Sequence, residues 1–327
     1  MKILVRLPNW LGDMVMSVAF IDQLPHFFPG AEVSVIAKKG IHELLPYFPA
    51  TGHQFVFRKD EYKGFGGLWN FGRTIRKKEK FDLFFCLPDS FSSAFMGYAT
   101  GAKKRIGYKK ELREILLTNT YSKPKNIHRV EEYVKQLEVF THQPSAKINV
   151  RLQHAISKQD HVVVNINSEA SSRRLTVAKA VEILNHLRGA INNKILLIGA
   201  PKEKEFVETV LSQLSSKNNI ESIAGKTSLS QLIEILASAK LMLTTDSGPA
   251  HLSNALGTHT IVLFGAGNEN NTAPYNKESR SIIRLGKLSC EPCQKNICVQ
   301  FGTPQCLELL DTNIIVDTVL QQLHIHG

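Results

Sequence analysis

Leu241-Met242-Leu243-Thr244-Thr245-Asp246-Ser247-Gly248-Pro249-Ala250-His251, with its continuation to Gly265, decides how the rest of the chain is read. The aliphatic and β-branched run over 241–245 predicts a strand, and Asp246-Ser247-Gly248-Pro249 predicts a turn. A two-turn helix follows through Leu256 and is stopped by Gly257. Pro249 suits a first helical turn, where no backbone N–H is needed, and Gly257 suits the left-handed residue that ends one. A second strand over 260–264 completes a βαβ unit with polar groups at the carboxyl end of its first strand. Such a turn aims Ser247 and the N–H groups of a helix start at one spot, a geometry suited to phosphate or another anion. Asp246 and His251 flank that spot. The competing reading makes Asp246 or Ser247 a plain helix cap, with His251 packed beneath it.

Upstream, a strand over 161–167 leads into Ser168-Glu169-Ala170-Ser171-Ser172-Arg173-Arg174-Leu175 and a helix over 176–188. The hydroxyls of Ser171 and Ser172 and the guanidinium groups of Arg173 and Arg174 would cradle a diphosphate, because Arg binds phosphate oxygens in pairs and stays charged. An ordinary basic loop is the alternative. A strand over 194–199 and a helix over 202–214 precede Gly225-Lys226-Thr227-Ser228-Leu229, which leads into a helix ending near residue 239. Gly225-Lys226-Thr227 is not the end of a P-loop, since Ile220 stands where that motif needs its first Gly.

The first half repeats the βαβ pattern. A strand over 2–7 ends at Pro8, and Asn9-Trp10-Leu11-Gly12-Asp13 predicts a tight loop with Asp13 at its exit. A helix over 13–24 then stops at Pro25, and a strand over 32–37 follows. Further strands are expected over 81–87 and 105–108, and an amphipathic helix over 127–140 with Val130, Val134 and Leu137 aligned. On the residues alone, Asp13 is a first-turn helix acid favoured by the helix dipole by about 0.3–1 kcal/mol. Residues 143–159 turn polar and irregular and are read as a linker between two domains.

Asp246-Ser247-Gly248-Pro249-Ala250-His251 with Leu256-Gly257 and Val262-Leu263-Phe264-Gly265 resembles the nucleotide-sugar motif of family 9 glycosyltransferases, the bacterial ADP-heptose:lipopolysaccharide heptosyltransferases. Gly12-Asp13 is similar to that family's Gly-Asp pair, and Gly225-Lys226-Thr227-Ser228-Leu229 to a stretch lining its nucleotide side. The chain departs from the family pattern in Pro8-Asn9-Trp10-Leu11, and in Leu175-Thr176 where Trp-Pro commonly follows the Arg. The resemblance implies an α/β chain of the GT-B class, two facing Rossmann-like doubly wound domains with parallel sheets: residues 1–155 on the acceptor side, 156–310 holding the nucleotide sugar, and 311–327 a helix returning to the first domain. It implies inverting, metal-independent transfer of heptose from an ADP-heptose-like donor to an anionic lipopolysaccharide inner-core acceptor. Asp13 is then the catalytic base. Ser171, Ser172, Arg173, Arg174, Thr227, Asp246, Ser247, Gly248 and His251 hold the donor, and Asn9, Trp10 and Gly12 form the acceptor-side loop.

Composition bounds these readings. A chain of 327 residues with 43% hydrophobic content suffices for two α/β domains. Its apolar runs are too short to span a bilayer, and its start has a core strand's length rather than a signal peptide's, so a cytoplasmic protein is expected, with peripheral contact at the inner membrane. Residues 1–150 carry 23 Lys and Arg against 14 Asp and Glu, and the remainder 17 against 15. The first half therefore faces something anionic. No zinc-finger, RNP or helix-turn-helix signature accompanies the charge, which argues against nucleic acid. Of five cysteines, Cys290, Cys293, Cys298 and Cys306 cluster at spacings that suggest a tetrahedral structural zinc site, with free thiols or a disulfide formed on isolation as competing readings. No cofactor is expected for catalysis. Two functional rivals remain: a nucleotide-sugar epimerase of the same fold, and a non-catalytic module binding anionic glycan or nucleic acid.

Overall fold

The computed structural model describes residues 1–154 and 157–326. Ala155 and Ile156, in the expected linker, and the terminal Gly327 lie outside the described residues. The chain divides into two compact units, Met1–Gln153 and His154–Gly327.

The first unit holds one sheet of six strands: β1 (Lys2–Arg6), β2 (Glu32–Lys38), β3 (Gln54–Phe57), β4 (Leu83–Cys86), β5 (Lys104–Tyr108) and β6 (Asn119–Tyr121), in the order β3-β2-β1-β4-β5-β6. The second holds β7 (His161–Asn165), β8 (Lys194–Leu197), β9 (Ile220–Ser222), β10 (Leu241–Thr245), β11 (His259–Phe264) and β12 (Arg280–Arg284), in the order β12-β11-β10-β7-β8-β9. Every recorded pairing is parallel. Both are doubly wound sheets in which the winding direction reverses between two central strands, β1 and β4 in one and β7 and β10 in the other. The crevice outside the carboxyl ends of those strands is where such sheets bind ligands.

Burial follows from this layering. β7, β10 and β11 are buried along their whole length because helices cover both sheet faces, so their sequences read as continuous apolar runs. Val162, Val164, Leu241, Leu243, Ile261 and Leu263 form one layer of that core with Ile183, Leu184 and Leu187 of the helix Val177–Ala190. The last helix, Thr312–His326, adds Ile315, Val316 and Val319 to the same core, against the helix Val177–Ala190 and β10. This helix belongs to the second unit.

Two local expectations change. The single helix over 13–24 is two helices, Leu11–Met16 and Val18–Phe27, joined at Ser17, whose Oγ donates to the Met14 carbonyl at 2.7 Å. Pro25 sits inside the second of these, two residues before its end, so the chain tolerates the one missing N–H there. Gly12 is helical and has no left-handed conformation, so the tight loop shrinks to Leu7 to Trp10.

Candidate active site

In the first unit, the carboxyl end of β1 is braced from below by Arg6, a fully buried guanidinium. Its Nη1 donates to the carbonyls of Leu7 at 2.7 Å and Ile36 at 3.2 Å, and its Nη2 to Asn9 Oδ1. Burial pulls Arg6 down to about 10, still high enough to stay charged at neutral pH. Asn9 is therefore a strut of the loop. Trp10 beside it is exposed and serves as the residue before the helix start. Asp13 is half-buried in the first helical turn, and its Oδ1 accepts a hydrogen bond of 3.1 Å from the Tyr133 hydroxyl. Tyr133 is buried, and burial, with the nearby Asp13 charge, pushes its hydroxyl well above the usual tyrosine range. That hydroxyl is thus held as a neutral donor to the carboxylate.

Arg129, one helical turn before Tyr133, adds charge. Burial works against its cation, but Tyr133, Glu132 and Asp13 together hold it above its ordinary value. Its Nη1 pairs with Glu132 at 3.2 Å, Glu132 with Lys123 at 2.9 Å, and Lys123 with Asp89 at 2.6 Å. Tyr133 and Arg129 were not singled out from the sequence. The signal was there in their i,i+4 spacing on the helix Arg129–Thr141, which puts both on one face.

In the second unit the strand-order reversal gathers the polar ends of β7 and β10. Asn165 Nδ2 donates to the Asn167 carbonyl at 3.1 Å, to Thr244 Oγ1 at 3.1 Å and to Ser247 Oγ at 2.9 Å. Ser168 Oγ donates to the Asp246 carbonyl at 3.2 Å. The helix Gly248–Ala255 starts after Ser247 with Pro249 in its first turn, and no side chain caps it. The simple capping reading of Asp246 and Ser247 is thereby removed. Gly257 is left-handed with φ 81°, as a helix stop requires.

Asp246 is buried, and its Oδ2 lies 3.3 Å from Arg173 Nη1, an ion pair without hydrogen-bond alignment. Burial pushes the Asp246 carboxyl up, while Arg173 and Arg284 pull it back down. Among the described residues, Asp246 Oδ2, Arg173 Nε and Asn167 Oδ1 are buried polar atoms with no hydrogen-bond partner in the protein. Buried groups of this kind are normally satisfied, and such atoms beside the carboxyl ends of β7 and β10 fit a ligand's hydrogen bonds.

A loop after β11 closes over this pair. Gly267 stands so near Asp246 that a Cβ there would fall 2.1 Å from Oδ2. Arg284 holds the loop: its Nη1 donates to the Gly265 carbonyl at 2.9 Å, its Nη2 donates to the Gly267 carbonyl, and its Nε donates to Glu269 at 2.9 Å. Asn165, Asn167, Gly267, Glu269 and Arg284 escaped the sequence reading, although the pair Gly265 and Gly267 at a strand's carboxyl end marks a close backbone approach.

The remaining candidates fall differently. Ser171 Oγ donates to the Asn296 carbonyl at 3.3 Å and Ser172 Oγ to the Lys295 carbonyl at 2.5 Å, so both hydroxyls tie down the 294–296 loop. Arg174 lies over the Phe206 ring at 4.9 Å, away from the Arg173–Asp246 pair, so the twin guanidinium cradle becomes a single cation at this spot. Thr227 is half-buried in the loop ahead of the helix Leu229–Ser238, and His251 is buried in its own helix.

The expected zinc site is not supported. Cys290, Cys293, Cys298 and Cys306 do line one small recess with Leu288, Glu291 and Phe301, and all are free thiols. Among the described residues, however, no group of three or more His, Cys, Asp or Glu is arranged to hold a metal ion. Burial, reinforced by Glu291, pushes Cys306 up to about 11, which disfavours the thiolate that zinc requires.

The model of glycosyltransferase family 9 (heptosyltransferase) matches residues 68–302. The chain belongs to this family. Lipooligosaccharide heptosyltransferase 2 of Campylobacter jejuni is similar to this family 9 glycosyltransferase at 25% identity over 312 residues, 91% of this chain and 92% of that one. Lipopolysaccharide heptosyltransferase 2 of Escherichia coli is similar at 26%, covering 87% and 88%. Among solved structures, the E. coli ADP-heptose lipopolysaccharide heptosyltransferase II aligns with a TM-score of 0.85 at 23% identity over 99% of this chain and 98% of that one. A family 9 glycosyltransferase from Veillonella parvula aligns with a TM-score of 0.85 at 18% identity over 98% and 97%. This family 9 glycosyltransferase accordingly has the GT-B class of fold, with Rossmann-like units. Asp13 and its loop precede the matched stretch. No helix among the described residues is long and apolar enough to cross a membrane.

Proposed function

We propose that this enzyme is an inverting, metal-independent heptosyltransferase that transfers heptose from an ADP-heptose donor to an anionic glycolipid acceptor of the lipopolysaccharide inner core, at the cytoplasmic face of the inner membrane. The observation that carries the reading is the Arg173–Asp246 ion pair at the carboxyl ends of β7 and β10, whose buried Nε and Oδ2 make no hydrogen bond within the protein, together with Asn167 Oδ1 beyond the end of β7, which makes none either. A nucleotide sugar offers hydroxyls for the two oxygens and phosphate oxygens for the guanidinium. The matched family and its heptosyltransferase relatives name the sugar.

In the reaction Asp13 takes the proton of the acceptor hydroxyl while Tyr133 donates to its other side and fixes the carboxylate's direction. The acceptor oxygen bonds to the anomeric carbon on the face opposite the diphosphate, the bond from that carbon to the diphosphate oxygen breaks, and ADP leaves with the electron pair. Negative charge grows on the leaving phosphate. Arg173 and the start of the helix Gly248–Ala255, with its fixed partial positive charge of about half a unit, oppose that charge. Those fixed groups supply what a divalent cation supplies in other transferases.

The test is a donor panel with a defined inner-core acceptor, read by product mass and by the anomeric configuration of the new bond, with and without chelator. Transfer from ADP-heptose with inversion, unchanged by chelator, is expected. Interconversion of the free donor without acceptor, retention of configuration, or a requirement for added divalent metal would each defeat the proposal.

A further inference from the structure

The first unit carries an exposed aromatic ridge that the chemistry above does not use. The helix Gly64–Lys78 presents Phe65 and Trp69, and the helix Phe91–Thr100 presents Phe95 and Tyr98 beside them. The rings interlock: Phe65 with Phe95 at 5.2 Å, Trp69 with Phe95 at 6.2 Å, and Trp69 with Tyr98 at 6.1 Å. The two helices approach closely because position 72 is glycine; a Cβ there would fall 2.4 Å from that of Ala99. Despite this mutual packing Phe65 stays 58% exposed, Trp69 37% and Tyr98 46%. On the turn that packs against the second helix, Leu112 and Ile115 are 79% and 78% exposed. Contiguous apolar surface of this kind marks an interaction site.

Charge identifies the occupant. The helix Gly64–Lys78 contains Arg73, Arg76, Lys77 and Lys78 and no acid, and the helix Phe91–Thr100 has no charged residue. Arg105 lies over the Tyr98 ring at 5.5 Å, and on the neighbouring turn exposed Lys109 and Lys110 outweigh exposed Glu111, with Glu114 half-buried before Ile115. Two copies of such a face would repel one another, whereas an anionic lipid surface attracts it. Aromatic rings suit the headgroup level of a bilayer, and cations beside them suit acidic headgroups.

We propose that the ridge formed by Phe65, Trp69, Phe95 and Tyr98, with its surrounding arginines and lysines, docks the enzyme on an anionic lipid bilayer. The inference rests on the glycolipid reading above and names the surface that would meet the membrane holding the acceptor. The sequence has two tryptophans, so a Trp10→Phe protein leaves Trp69 as the only reporter. With vesicles of phosphatidylglycerol and phosphatidylethanolamine, its emission should shift to the blue and be quenched by brominated acyl chains. Phosphatidylcholine vesicles or high salt should weaken both effects. Phe65→Ser/Trp69→Ser should lower co-sedimentation with the acidic vesicles by about tenfold while keeping turnover of a deacylated, water-soluble acceptor. An unshifted Trp69, unchanged co-sedimentation of the double variant, or its failure on the soluble acceptor would overturn the proposal. So would a native dimer that the double variant dissociates. A native protein that binds these vesicles through Trp69 but transfers no heptose would uphold the docking surface and defeat the functional reading instead.

Discussion

An alanine at position 267 would place its Cβ 2.1 Å from Asp246 Oδ2, 3.2 Å from Asp246 Cγ and 3.3 Å from Phe264 Cε1. Comfortable van der Waals separation is about 3.5 Å, so the carboxylate or the loop must move by about 1 Å or more. Gly267 has no left-handed conformation, so the added methyl brings no dihedral strain and the perturbation is purely steric. The loop resists yielding because Arg284 grips the carbonyls of Gly265 and Gly267. Overpacking of this kind costs about 1–3 kcal/mol, and about 1 kcal/mol lowers Tm by about 2–4 °C in a unit of this size. A misplacement of about 1 Å in a binding constellation costs up to about 100-fold. Gly267→Ala should therefore raise the ADP-heptose KM and lower kcat/KM by about 10- to 100-fold, with a Tm loss of a few degrees. Combining it with Asp246→Ala should abolish the stability cost, because the clashing oxygen is gone. Steady-state transfer assays and thermal melts of the four proteins complete the cycle. A Gly267→Ala enzyme with unchanged donor KM and Tm, or a cost that persists without Asp246, would refute the reasoning.

Asp13→Asn should lower kcat by about 10²–10⁴ with the donor KM little changed, and stopped-time product assays check this. Tyr133→Phe keeps the buried ring but removes the hydrogen bond that orients Asp13; with such a bond worth about 1.5–3 kcal/mol, Tm should fall by several degrees, and the lost orientation should lower kcat by about 10- to 100-fold at unchanged donor KM. Burial raises the folded-state pKa of Asp246, so the native state holds that proton more tightly than the unfolded chain and stability falls as pH climbs from the ordinary carboxylate value toward the raised one. Asp246→Asn should accordingly raise Tm at neutral pH, gain nothing in acid, and weaken donor binding; a lower Tm at neutral pH would show that the Arg173 pair outweighs desolvation. Chelator should leave the melting curve unchanged, and Cys306, its thiol pushed up to about 11, should alkylate more slowly than the half-exposed Cys290, Cys293 and Cys298.

The central strands of both sheets were legible because helices on two faces force them to be apolar throughout. The four strands absent from the sequence reading, β3, β6, β9 and β12, are the four sheet edges. Two of them, Asn119-Thr120-Tyr121 and Ile220-Glu221-Ser222, are three residues long and largely polar, as edge strands often are, and the other two, Gln54–Phe57 and Arg280–Arg284, are four and five residues long, too short for a pattern to stand out. Asp246, Ser247, Arg173 and Asp13 stood out as candidates because polar side chains at the ends of apolar strands are conspicuous in sequence. Arg6, Tyr133 and Arg284 did not, because each acts through a neighbour distant in sequence: Arg6 on the Ile36 carbonyl, Tyr133 on Asp13, and Arg284 on the loop after β11. The tethering of the 294–296 loop by the Ser171 and Ser172 hydroxyls was not legible, because a hydroxyl near a helix start looks the same in sequence whether it meets a ligand or a carbonyl of its own chain.

In the proposed reaction the two acids at the two strand-order reversals have different tasks, and their surroundings fit that assignment. Asp13 lies half-buried at a helix start with a neutral donor, Tyr133, on one oxygen. A half-buried carboxylate with one oxygen oriented suits an acid that takes a proton from an incoming hydroxyl, the task proposed for Asp13. Asp246 is buried under Gly267, beside Arg173, with Oδ2 lacking a hydrogen bond. Nothing that must exchange protons with solvent would be placed there, but a group that recognises one ligand hydroxyl gains from it, because a ligand lacking that hydroxyl leaves the oxygen unpaired and is rejected. Exchanging the two environments would ruin both functions: a buried base could not be reached, and an exposed binder would be satisfied by water. The proposed division of labour between Asp13 and Asp246 rests on where each sheet's winding reverses and on one neighbour of each carboxylate, the Tyr133 hydroxyl that orients Asp13 and the Gly267 backbone that covers Asp246.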